Sequence, residues 1–468
     1  MAIFILSLTS GTLAATGPHD THAAGRYRRR SVRIAPGLRL IRMVDVRAPN
    51  RIRVLSVDPA SRMTVDTVLS NNRLPGVERT SAMARRRDAI AAVNGDYSLP
   101  WGRPPHVFAE DGILKASPIP WGRAFAISRD EQDVYIRHPR VSIRVTDTRR
   151  AVSWRVADWN VGKPRAGKIA AVTPAGAKHL RPPRRACSIR LFPASRRRWD
   201  VGQLGVKRDY RVDMVRCAFR RLRLRGGIVL SSRRGGRRAA QIKALRRGDI
   251  VPLEWELGWR GVLDVVGGNP TVVERGRVSV TRCKQSFCAR HPRTGVGVTA
   301  EGKILLVTVD GRRRRSVGMT PLQFGRLFRR LGARWALNLD GGGSTTMVVR
   351  NRIVNRPSDP AGERGVSSAL LVLPNGDRSE REPAPPRNPQ PGASAATSAP
   401  GAPTERGENL APRAEPELEG AAVRAMIRDP ASTGGMLDAA RAGAFGPATR
   451  LPRALRGVVA RFRRDRGG

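Results

Sequence analysis

Residues 303–346 read KILLVTVDGRRRRSVGMTPLQFGRLFRRLGARWALNLDGGGSTT, and their pattern decides the class of fold. The apolar run at 303–309 predicts a buried strand that ends at Asp310. A second apolar run, at 335–339, predicts another strand that leads directly into Asp340. Two acidic residues are therefore expected at strand ends, where side chains are well placed for chemistry.

A helix is predicted between these two strands. Thr320 suits an N-cap, Pro321 suits the first helical position, and Gly332 suits the C-terminal stop. If the strands form a parallel pair joined by this crossover helix, Asp310 and Asp340 lie at the same edge of the sheet. Ligands commonly bind at that edge.

The rest of the middle of the chain is predicted to consist of short strands. Between residues 34 and 373, apolar runs alternate with Gly, Pro and Asn/Asp turns. One such run, at 89–93, leads into Asn94 and Asp96. The predicted fold class is α+β, a mixed β-sheet core with short helices and irregular loops, in a single domain at 31–373.

Length and charge limit how the chain is organised. Its 468 residues exceed the ~250–300 that one core usually holds, whereas 40% hydrophobic residues suffice for a real core. One domain with non-globular ends satisfies both observations. The 87 Lys+Arg and 38 Asp+Glu give a formal net charge of +49, which favours anionic partners.

Both ends of the chain have the composition of non-globular segments. Residues 1–30 are predicted as a signal peptide and linker, although the start lacks basic residues and could instead belong to the mature fold. Residues 374–435 are predicted as a Pro/Ala/Gly-rich disordered linker. Residues 436–468 form a basic tail, either a short amphipathic helix that binds an anionic surface or a frayed terminus. The expected location is secreted or cell-wall associated.

Four cysteines predict two disulfides in an exported protein. Cys283 and Cys288 are separated by four residues that can turn tightly enough for the thiols to meet, and Cys187 would then pair with Cys217. Zinc binding is the alternative, with His291 nearby, but the spacing does not follow a usual zinc pattern.

The glycine run Gly341–Gly343 does not match a nucleotide-binding motif. A P-loop needs a lysine after its glycines, and here Ser344 and Thr345 follow. The loop offers bare backbone N–H groups beside a carboxylate and hydroxyls, suited to an anionic group or a sugar hydroxyl. The alternative is a tight turn between strands.

An ordered set of motifs resembles the phosphodiester glycosidase family. The resemblance covers residues 34–373 and is strongest over 261–373. The motifs are NGDY at 94–97, GGNP at 267–270, RHPRTGVG at 290–297, VDGR at 309–312, SVGMT at 316–320, LNLDGGGSTTMV at 337–348, NRPSD at 355–359 and GER at 362–364.

The resemblance implies hydrolysis of a sugar-1-phosphodiester at the anomeric C–O bond. The products would be a free sugar, such as N-acetylglucosamine, and a phosphomonoester, and the substrate a wall- or exopolymer-type glycoconjugate. Such a reaction needs a carboxylate near the anomeric carbon and cations around the phosphate, since the departing phosphate is already a good leaving group.

The resemblance also implies roles for particular residues. Asp340 is the carboxylate that acts as nucleophile or base, and Asp310 or Asp96 is the second acid. The phosphate would be held by Arg293 and Arg364. Hydrogen bonds to sugar or phosphate oxygens are expected from Asn94, Asn338, Ser344 and Thr345, and from the backbone of Gly341, Gly342 and Gly343.

Structural interpretations of several residues stay open. Asp310 also suits the start of a turn, Glu363 and Arg364 also suit ion pairs, and His106 suits either a substrate contact or a turn. No cofactor is required, but Asp310 and Asp340 are also compatible with a divalent cation.

The rival hypothesis is a non-catalytic basic protein that binds cell wall or other polyanions. The expected partners are a carbohydrate phosphodiester substrate and an anionic cell-wall polymer or membrane surface. Nucleic acid is not favoured, because the arginines are not interleaved with aromatic residues that would stack on bases.

Overall fold

The structure is a computed structural model of the chain. It describes residues 26–374 except 100–101, 118–121, 177–178, 181–185, 196–200, 219–221 and 281–285. The predicted signal peptide up to residue 25, nearly all of the predicted linker and the basic tail at 436–468 lie outside the described residues. Those predictions therefore stay predictions.

The described residues form mostly β-sheet with a few short helices, which confirms the coarse prediction of fold class. The strands of the first half are β1 (Tyr27–Ala35), β2 (Leu38–Asp45), β3 (Asn50–Val57), β4 (Met63–Leu69), β5 (Glu78–Arg79), β6 (Ala91–Asn94), β7 (Phe108–Glu110), β8 (Ile113–Ala116), β9 (Arg123–Ser128), β10 (Val134–Arg137), β11 (Ser142–Asp147), β12 (Val152–Arg155), β13 (Asp158–Trp159), β14 (Ala170–Val172) and β15 (His179–Leu180).

The remaining strands are β16 (Ala186–Pro193), β17 (Val206–Cys217), β18 (Leu222–Arg223), β19 (Ile228–Arg233), β20 (Ile250–Glu256), β21 (Val262–Gly268), β22 (Thr271–Glu274), β23 (Arg277–Val278), β24 (Arg293–Thr299), β25 (Ile304–Val309), β26 (Ala333–Asn338), β27 (Met347–Val349), β28 (Arg352–Ile353), β29 (Gly365–Val366) and β30 (Ser368–Pro374). The helices are α1 (Thr80–Arg86), α2 (Arg237–Lys243) and α3 (Pro321–Arg330). Strand β1 begins at Tyr27, inside the segment predicted as leader and linker.

Four larger sheets contain most of these strands. The first sheet has the order β1-β2-β3-β25-β24-β26-β22-β23, and the second has the order β28-β27-β6-β30-β4. The third has the order β12-β11-β20-β17-β16-β19-β14-β13, and the fourth has the order β10-β9-β21-β7-β8.

The predicted strand–helix–strand unit is present, but its two strands are not adjacent. Strands β25 and β26 each pair antiparallel with β24, so they run parallel to each other on either side of it. Helix α3 connects them and begins after the predicted N-cap Thr320, which forms a capping box with Gln323 in which each side chain bonds the other's backbone N–H group. Asp310 and Asp340 therefore leave the sheet at the same edge, one strand further apart than a direct pair would place them.

Two glycines on β24 allow α3 to lie close to the first sheet. A Cβ on Gly295 would stand 2.8 Å from the ring of Phe324, and one on Gly297 would stand 2.8 Å from the ring of Phe328. A side chain at either position would push the helix away, because real Cβ contacts are longer than this.

The first two sheets pack face to face between two helices. Helix α3 covers the outer face of the first sheet through Phe324 and Phe328. The inner faces meet in a core that includes Leu306 of the first sheet and Leu370 of the second. Helix α1 covers the outer face of the second sheet through Met83. The loops that follow β6, β25 and β26 extend from these two packed sheets.

The arginine-rich stretch at 181–247 contributes strands to the third sheet. Their buried side chains belong to a separate core, in which Trp255 contacts Trp159 and Tyr210 edge-on. The arginines of this stretch thus alternate with residues that build a second core.

The predicted disulfide between Cys187 and Cys217 is confirmed. The two residues lie directly opposite each other on β16 and β17, with Cα atoms 4.0 Å apart. Cys288 is also disulfide-bonded, so it is not a free thiolate for zinc, and Cys283 lies outside the described residues. Within the described part of the chain, helices are too short and too polar to cross a bilayer.

Candidate active site

Asp340 lies where the first and second sheets meet. It follows β26 of the first sheet, and its backbone N–H donates to the carbonyl oxygen of Gly95, which follows β6 of the second sheet, at 3.1 Å. Its own carbonyl oxygen accepts from Nδ2 of Asn94 at 2.7 Å. Because both sides of its backbone are bonded to the second sheet, Asp340 has a fixed position.

Asn94 holds this junction together. Its side chain is fully buried, and its Oδ1 accepts from the Thr294 hydroxyl at 2.8 Å and from the Thr346 N–H at 3.1 Å. Since both ends of the amide bond to protein, Asn94 acts on the site by fixing Asp340.

The carboxyl group of Asp340 is half-buried and electrostatically unusual. Burial raises its pKa from 3.8 to about 6, and the nearby Asp96 carboxylate acts in the same direction. The Ser344 hydroxyl, the Arg364 guanidinium and the Gly341 N–H oppose this rise, because each stabilises the ionised form. A carboxyl with a pKa near 6 is mostly ionised at neutral pH yet remains able to exchange a proton.

The glycine run after Asp340 passes through spaces that admit no side chain. A Cβ on Gly341 would stand 2.6 Å from the carbonyl oxygen of Pro292, and a Cβ on Gly343 would collide with the side chains of Asp359 and Arg364. Gly342 has a φ of 60° and donates its N–H to the Pro292 carbonyl at 2.9 Å. The run is therefore a tight, tethered loop, and only glycine permits these approaches.

Two arginines flank the glycine loop. Nε of Arg364 donates to Oδ2 of Asp359 at 2.7 Å, which holds the guanidinium beside the loop. Arg312 is exposed, and its Nη2 lies 3.2 Å from the position that a Cβ on Gly342 would occupy. Among the described residues, Arg312 has neither an ion pair nor a side-chain hydrogen bond. The loop thus has positive charge on both sides.

Arg293 is buried and engaged with backbone carbonyls. Its Nε donates to Met319 at 2.9 Å, and its Nη2 donates to Phe287 and Ala289 at 2.5 and 3.0 Å. Burial lowers its pKa to about 10. These bonds connect the turn around 286–289 to the start of β24, which makes Arg293 part of the wall behind the glycine loop.

Asp310 lies behind the site. Its buried Oδ1 accepts from the N–H of Arg356 at 3.0 Å and from Nδ2 of Asn355 at 3.3 Å, and burial raises the pKa of the carboxyl. Asn355 also donates to the carbonyl oxygen of Thr345 at 3.0 Å. Asp310 therefore reaches the glycine loop through Asn355.

Asp96 forms a buried pair with His106. Its Oδ1 lies 2.7 Å from Nδ1 of His106, and its Oδ2 accepts the His106 backbone N–H at 3.0 Å. The Nε2 of His106 is buried and has no hydrogen-bond partner among the residues that the structure describes. The Asp96 charge raises the pKa of Asp340. The Asp96–His106 pair therefore lies close enough to Asp340 to affect its ionisation.

Asn338 and Tyr97 close the inner side of the site. Nδ2 of Asn338 donates to the Tyr97 hydroxyl at 2.6 Å, and that hydroxyl donates to the Asn269 carbonyl at 2.6 Å. Burial raises the pKa of Tyr97 well above its ordinary value, and the charge of Asp340 acts the same way. Within the described part of the chain, Oδ1 of Asn338 and Oγ1 of Thr345 are buried and have no hydrogen-bond partner.

Three features of the site were not assigned from the sequence. Arg312, Tyr97 and the bond between His106 and Asp96 become evident only in the fold. Arg312 directly follows Asp310-Gly311 in one of the family-like motifs, and this was the one available signal. Within the described residues, no group of three or more His, Cys, Asp or Glu side chains is arranged to hold a metal ion.

Comparisons with known proteins agree with this description. Residues 220–373 match the family model of phosphodiester glycosidases, which confirms the resemblance seen in the motifs. This segment contains Arg293, Asp310, Asp340 and Arg364, whereas Asn94 and Asp96 precede it.

Individual proteins match either a short part of the chain or most of it at low sequence identity. YomE, an uncharacterised SPβ prophage-derived protein of Bacillus subtilis strain 168, is 35% identical over 92 residues, which are 20% of this chain and 14% of that protein. A hypothetical protein from Synechocystis has a similar fold, with a TM-score of 0.62 at 18% identity over 74% of this chain and 63% of the other. A Burkholderia pseudomallei K96243 protein, named for its expected export, has a TM-score of 0.54 at 23% identity over 72% of this chain and 74% of the other.

Proposed function

We propose that the protein is a phosphodiester glycosidase that hydrolyses a sugar-1-phosphodiester at the anomeric C–O bond. The observation that carries this proposal is the Asp340 carboxyl, which has a pKa of about 6 and is held between the Ser344 hydroxyl and Arg364 in a glycine loop. The match of residues 220–373 to the phosphodiester glycosidase family supports it.

The chemistry assigned to Asp340 follows from its ionisation. Breaking the anomeric C–O bond builds positive charge on the sugar ring, which an ionised carboxylate stabilises or traps. Water adds its oxygen to the anomeric carbon and releases one proton, through the Asp340 carboxylate or directly, to the solvent, while the C–O bond breaks and the phosphate leaves as a monoester. A strong general acid is unnecessary, because the phosphate leaves readily even without a proton.

The phosphate is assigned to the two cations beside the glycine loop. Arg364 and Arg312 present guanidinium groups to the same loop, and paired N–H donors suit phosphate oxygens. Arg293 lies behind this loop and is assigned to shaping it. The unpartnered Oδ1 of Asn338 and Oγ1 of Thr345 are assigned to sugar or phosphate hydroxyls.

The second acidic role is assigned to Asp96 through its partner His106. The pair keeps negative charge near Asp340, which favours a raised pKa at Asp340. Asp310 is assigned an indirect role, since it bonds the loop at 355–356 and not the open side of the glycine loop.

The proposed substrate is a wall- or exopolymer-type glycoconjugate outside the cell. Support comes from the disulfide between Cys187 and Cys217, because disulfides persist in oxidising compartments. The formal charge of +49 suits a substrate that carries several phosphates.

Product analysis on a panel of sugar-1-phosphodiesters tests the proposal. The panel varies the sugar and the group beyond the phosphate, with and without a chelator. Equimolar free sugar and phosphomonoester are expected from at least one member. If no member is turned over while the protein still binds anionic polymer, the non-catalytic binding hypothesis replaces this one.

A further inference from the structure

Arginines lie directly opposite one another on the first three strands of the first sheet. Arg30 of β1 pairs in register with Arg42 of β2, and Arg42 pairs in register with Arg53 of β3. Two residues further along β2, Val44 pairs in register with Arg28 of β1 on one side and with Arg51 of β3 on the other. Residues in register share one face of a sheet, as do residues two apart. We name these five arginines, Arg28, Arg30, Arg42, Arg51 and Arg53, the arginine ladder.

The outer part of the ladder lacks local counterions, whereas Arg51 and Arg53 at its inner end lie near the Asp310 carboxylate. Residues 27–57 contain nine arginines and one acid, Asp45, which pairs with Arg26. Among the described residues, Arg28, Arg30 and Arg42 are exposed and have no ion pair. Like charges directly opposite on neighbouring strands destabilise a sheet. An anion bound along the ladder would remove this cost.

The inner end of the ladder leads toward the site. The backbone N–H of Arg51 donates to the Ser316 hydroxyl at 2.9 Å, and the Val317 N–H donates to the Pro49 carbonyl at 2.9 Å. These bonds dock the loop at 312–315, four consecutive arginines, against the turn between β2 and β3. This loop begins with Arg312 at the glycine loop, so positive charge continues from Arg30 to the neighbourhood of Asp340.

The chemistry of the surface selects among polyanions. Aromatic side chains that stack on bases are needed to hold single-stranded nucleic acid. The one aromatic residue in 27–57 is Tyr27, which lies on the other face in register with Asp45 and is covered by Arg26 and Arg330. A flexible phosphodiester chain without bases needs only a row of cations.

We propose that the arginine ladder and the loop at 312–315 bind the backbone of a polymeric phosphodiester and lead its end toward Asp340. The partner is a chain of repeating phosphodiesters with small, non-aromatic units. The part of this proposal that concerns Asp340 rests on the proposed function, whereas binding along the ladder does not.

Binding is measured on the full chain carrying Asp340→Asn, so that the polymer is not consumed. The probe is fluorescently labelled poly(glycerol phosphate), titrated at several salt concentrations. The ladder variant is Arg30→Gln with Arg42→Gln. The matched control is Arg29→Gln with Arg33→Gln, which removes the same charge from the opposite face of β1.

The ladder variant is expected to bind at least about 10-fold more weakly. The slope of log K against log salt concentration should become shallower by about 1.4, because two phosphate contacts are lost. The control should change affinity less than about 3-fold, since only long-range attraction is reduced. In the absence of polymer, the ladder variant should melt no lower than the wild-type protein, because a like-charge pair is removed.

Three results would overturn the proposal: equal weakening by both variants, no binding of poly(glycerol phosphate), or tighter binding to single-stranded DNA or anionic vesicles. A separate result would refute the proposed function. Ladder-dependent binding together with an inert diester panel would refute hydrolysis and leave the binding surface standing.

Discussion

The loops that follow β25 and β26 start from equivalent positions in the first sheet, but they place their aspartates in different surroundings. Both strands run in the same direction and each delivers an aspartate at its end. After β25, Asp310 is buried and bonds the backbone of Arg356 and the side chain of Asn355. After β26, Asp340 stays half-buried in a loop of three glycines, with Ser344 and Arg364 acting on its carboxyl.

This difference shows that the strand pattern places an acid, whereas the following loop decides what the acid does. Both carboxyl groups have raised pKa values, because in each case the surrounding protein removes water that would stabilise the charge. Asp340 lies beside Arg364 at the glycine loop, whereas Asp310 lies near Arg51 and Arg53 of the first sheet and bonds the loop at 355–356. Matched substitutions at Asp340 and Asp310 test this difference.

The largest effect is expected from Asp340→Asn. Loss of the carboxylate should reduce kcat/KM on a sugar-1-phosphodiester by about 100- to 10,000-fold. Asp310→Asn, the matched substitution, keeps Oδ1 as acceptor for both of its hydrogen bonds and should stay within about 10-fold of wild type. If the two variants lose activity equally, the proposed division between the two loops is wrong.

Melting curves provide the control for this pair. The pKa of Asp340 is higher in the folded state than the ordinary 3.8, so its ionised form costs folding free energy above pH 6. Asp340→Asn should therefore melt no lower than wild type at pH 8, and any advantage should vanish below pH 4. A lower melting temperature at pH 8 would assign Asp340 a structural role.

A smaller effect is expected from Arg312→Gln. A hydrogen bond to a charged group contributes about 1.5–3 kcal/mol, so kcat/KM should fall about 10- to 100-fold on small diesters. Arg334→Gln, at the far end of β26 from Asp340, removes the same charge and should have little effect. Equal losses would mean that net charge, and not the position beside the glycine loop, supports activity.

The pH profile should change the rate about tenfold per pH unit on its acidic limb. If ionised Asp340 performs the reaction, kcat/KM rises with pH and levels off above about 6. Asp310→Asn should leave this midpoint in place. A profile that is flat from pH 5 to 8 would remove Asp340 from the rate-determining chemistry.

The smallest effect on activity is expected from removing the disulfide of the third sheet. Cys187→Ser with Cys217→Ser opens a loop of 30 residues and should cost about 3–4 kcal/mol of unfolding free energy. Activity at 25 °C should change less than about 3-fold, because the site belongs to the first two sheets. Thermal unfolding and initial rates, measured side by side, check both statements.

The sequence predicted the elements around the site well where local signals are strong. Helix α3 follows from Thr320, Pro321 and Gly332, and β25 and β26 follow from apolar runs. The insertion of β24 between them was not predicted. Pairing across distant segments has no local signature.

The site was predicted less completely than the fold. The motifs gathered most of its residues, but they did not show that Asn94 and Arg293 bond mainly to protein or that Arg312 faces the glycine loop. Those facts depend on which hydrogen bonds the loops complete for one another. The burial that raises the pKa of Asp340 likewise arises only when the two sheets meet.

Hydrolysis in water enriched in oxygen-18 shows which bond of the sugar-1-phosphodiester is broken. Attack at the anomeric carbon places the heavy oxygen in the released sugar, and mass spectrometry of the products locates it. The proposed chemistry at Asp340 predicts label in the sugar and none in the phosphomonoester. Label in the phosphate would mean that the P–O bond is broken, and would contradict the assignment of this protein as a phosphodiester glycosidase.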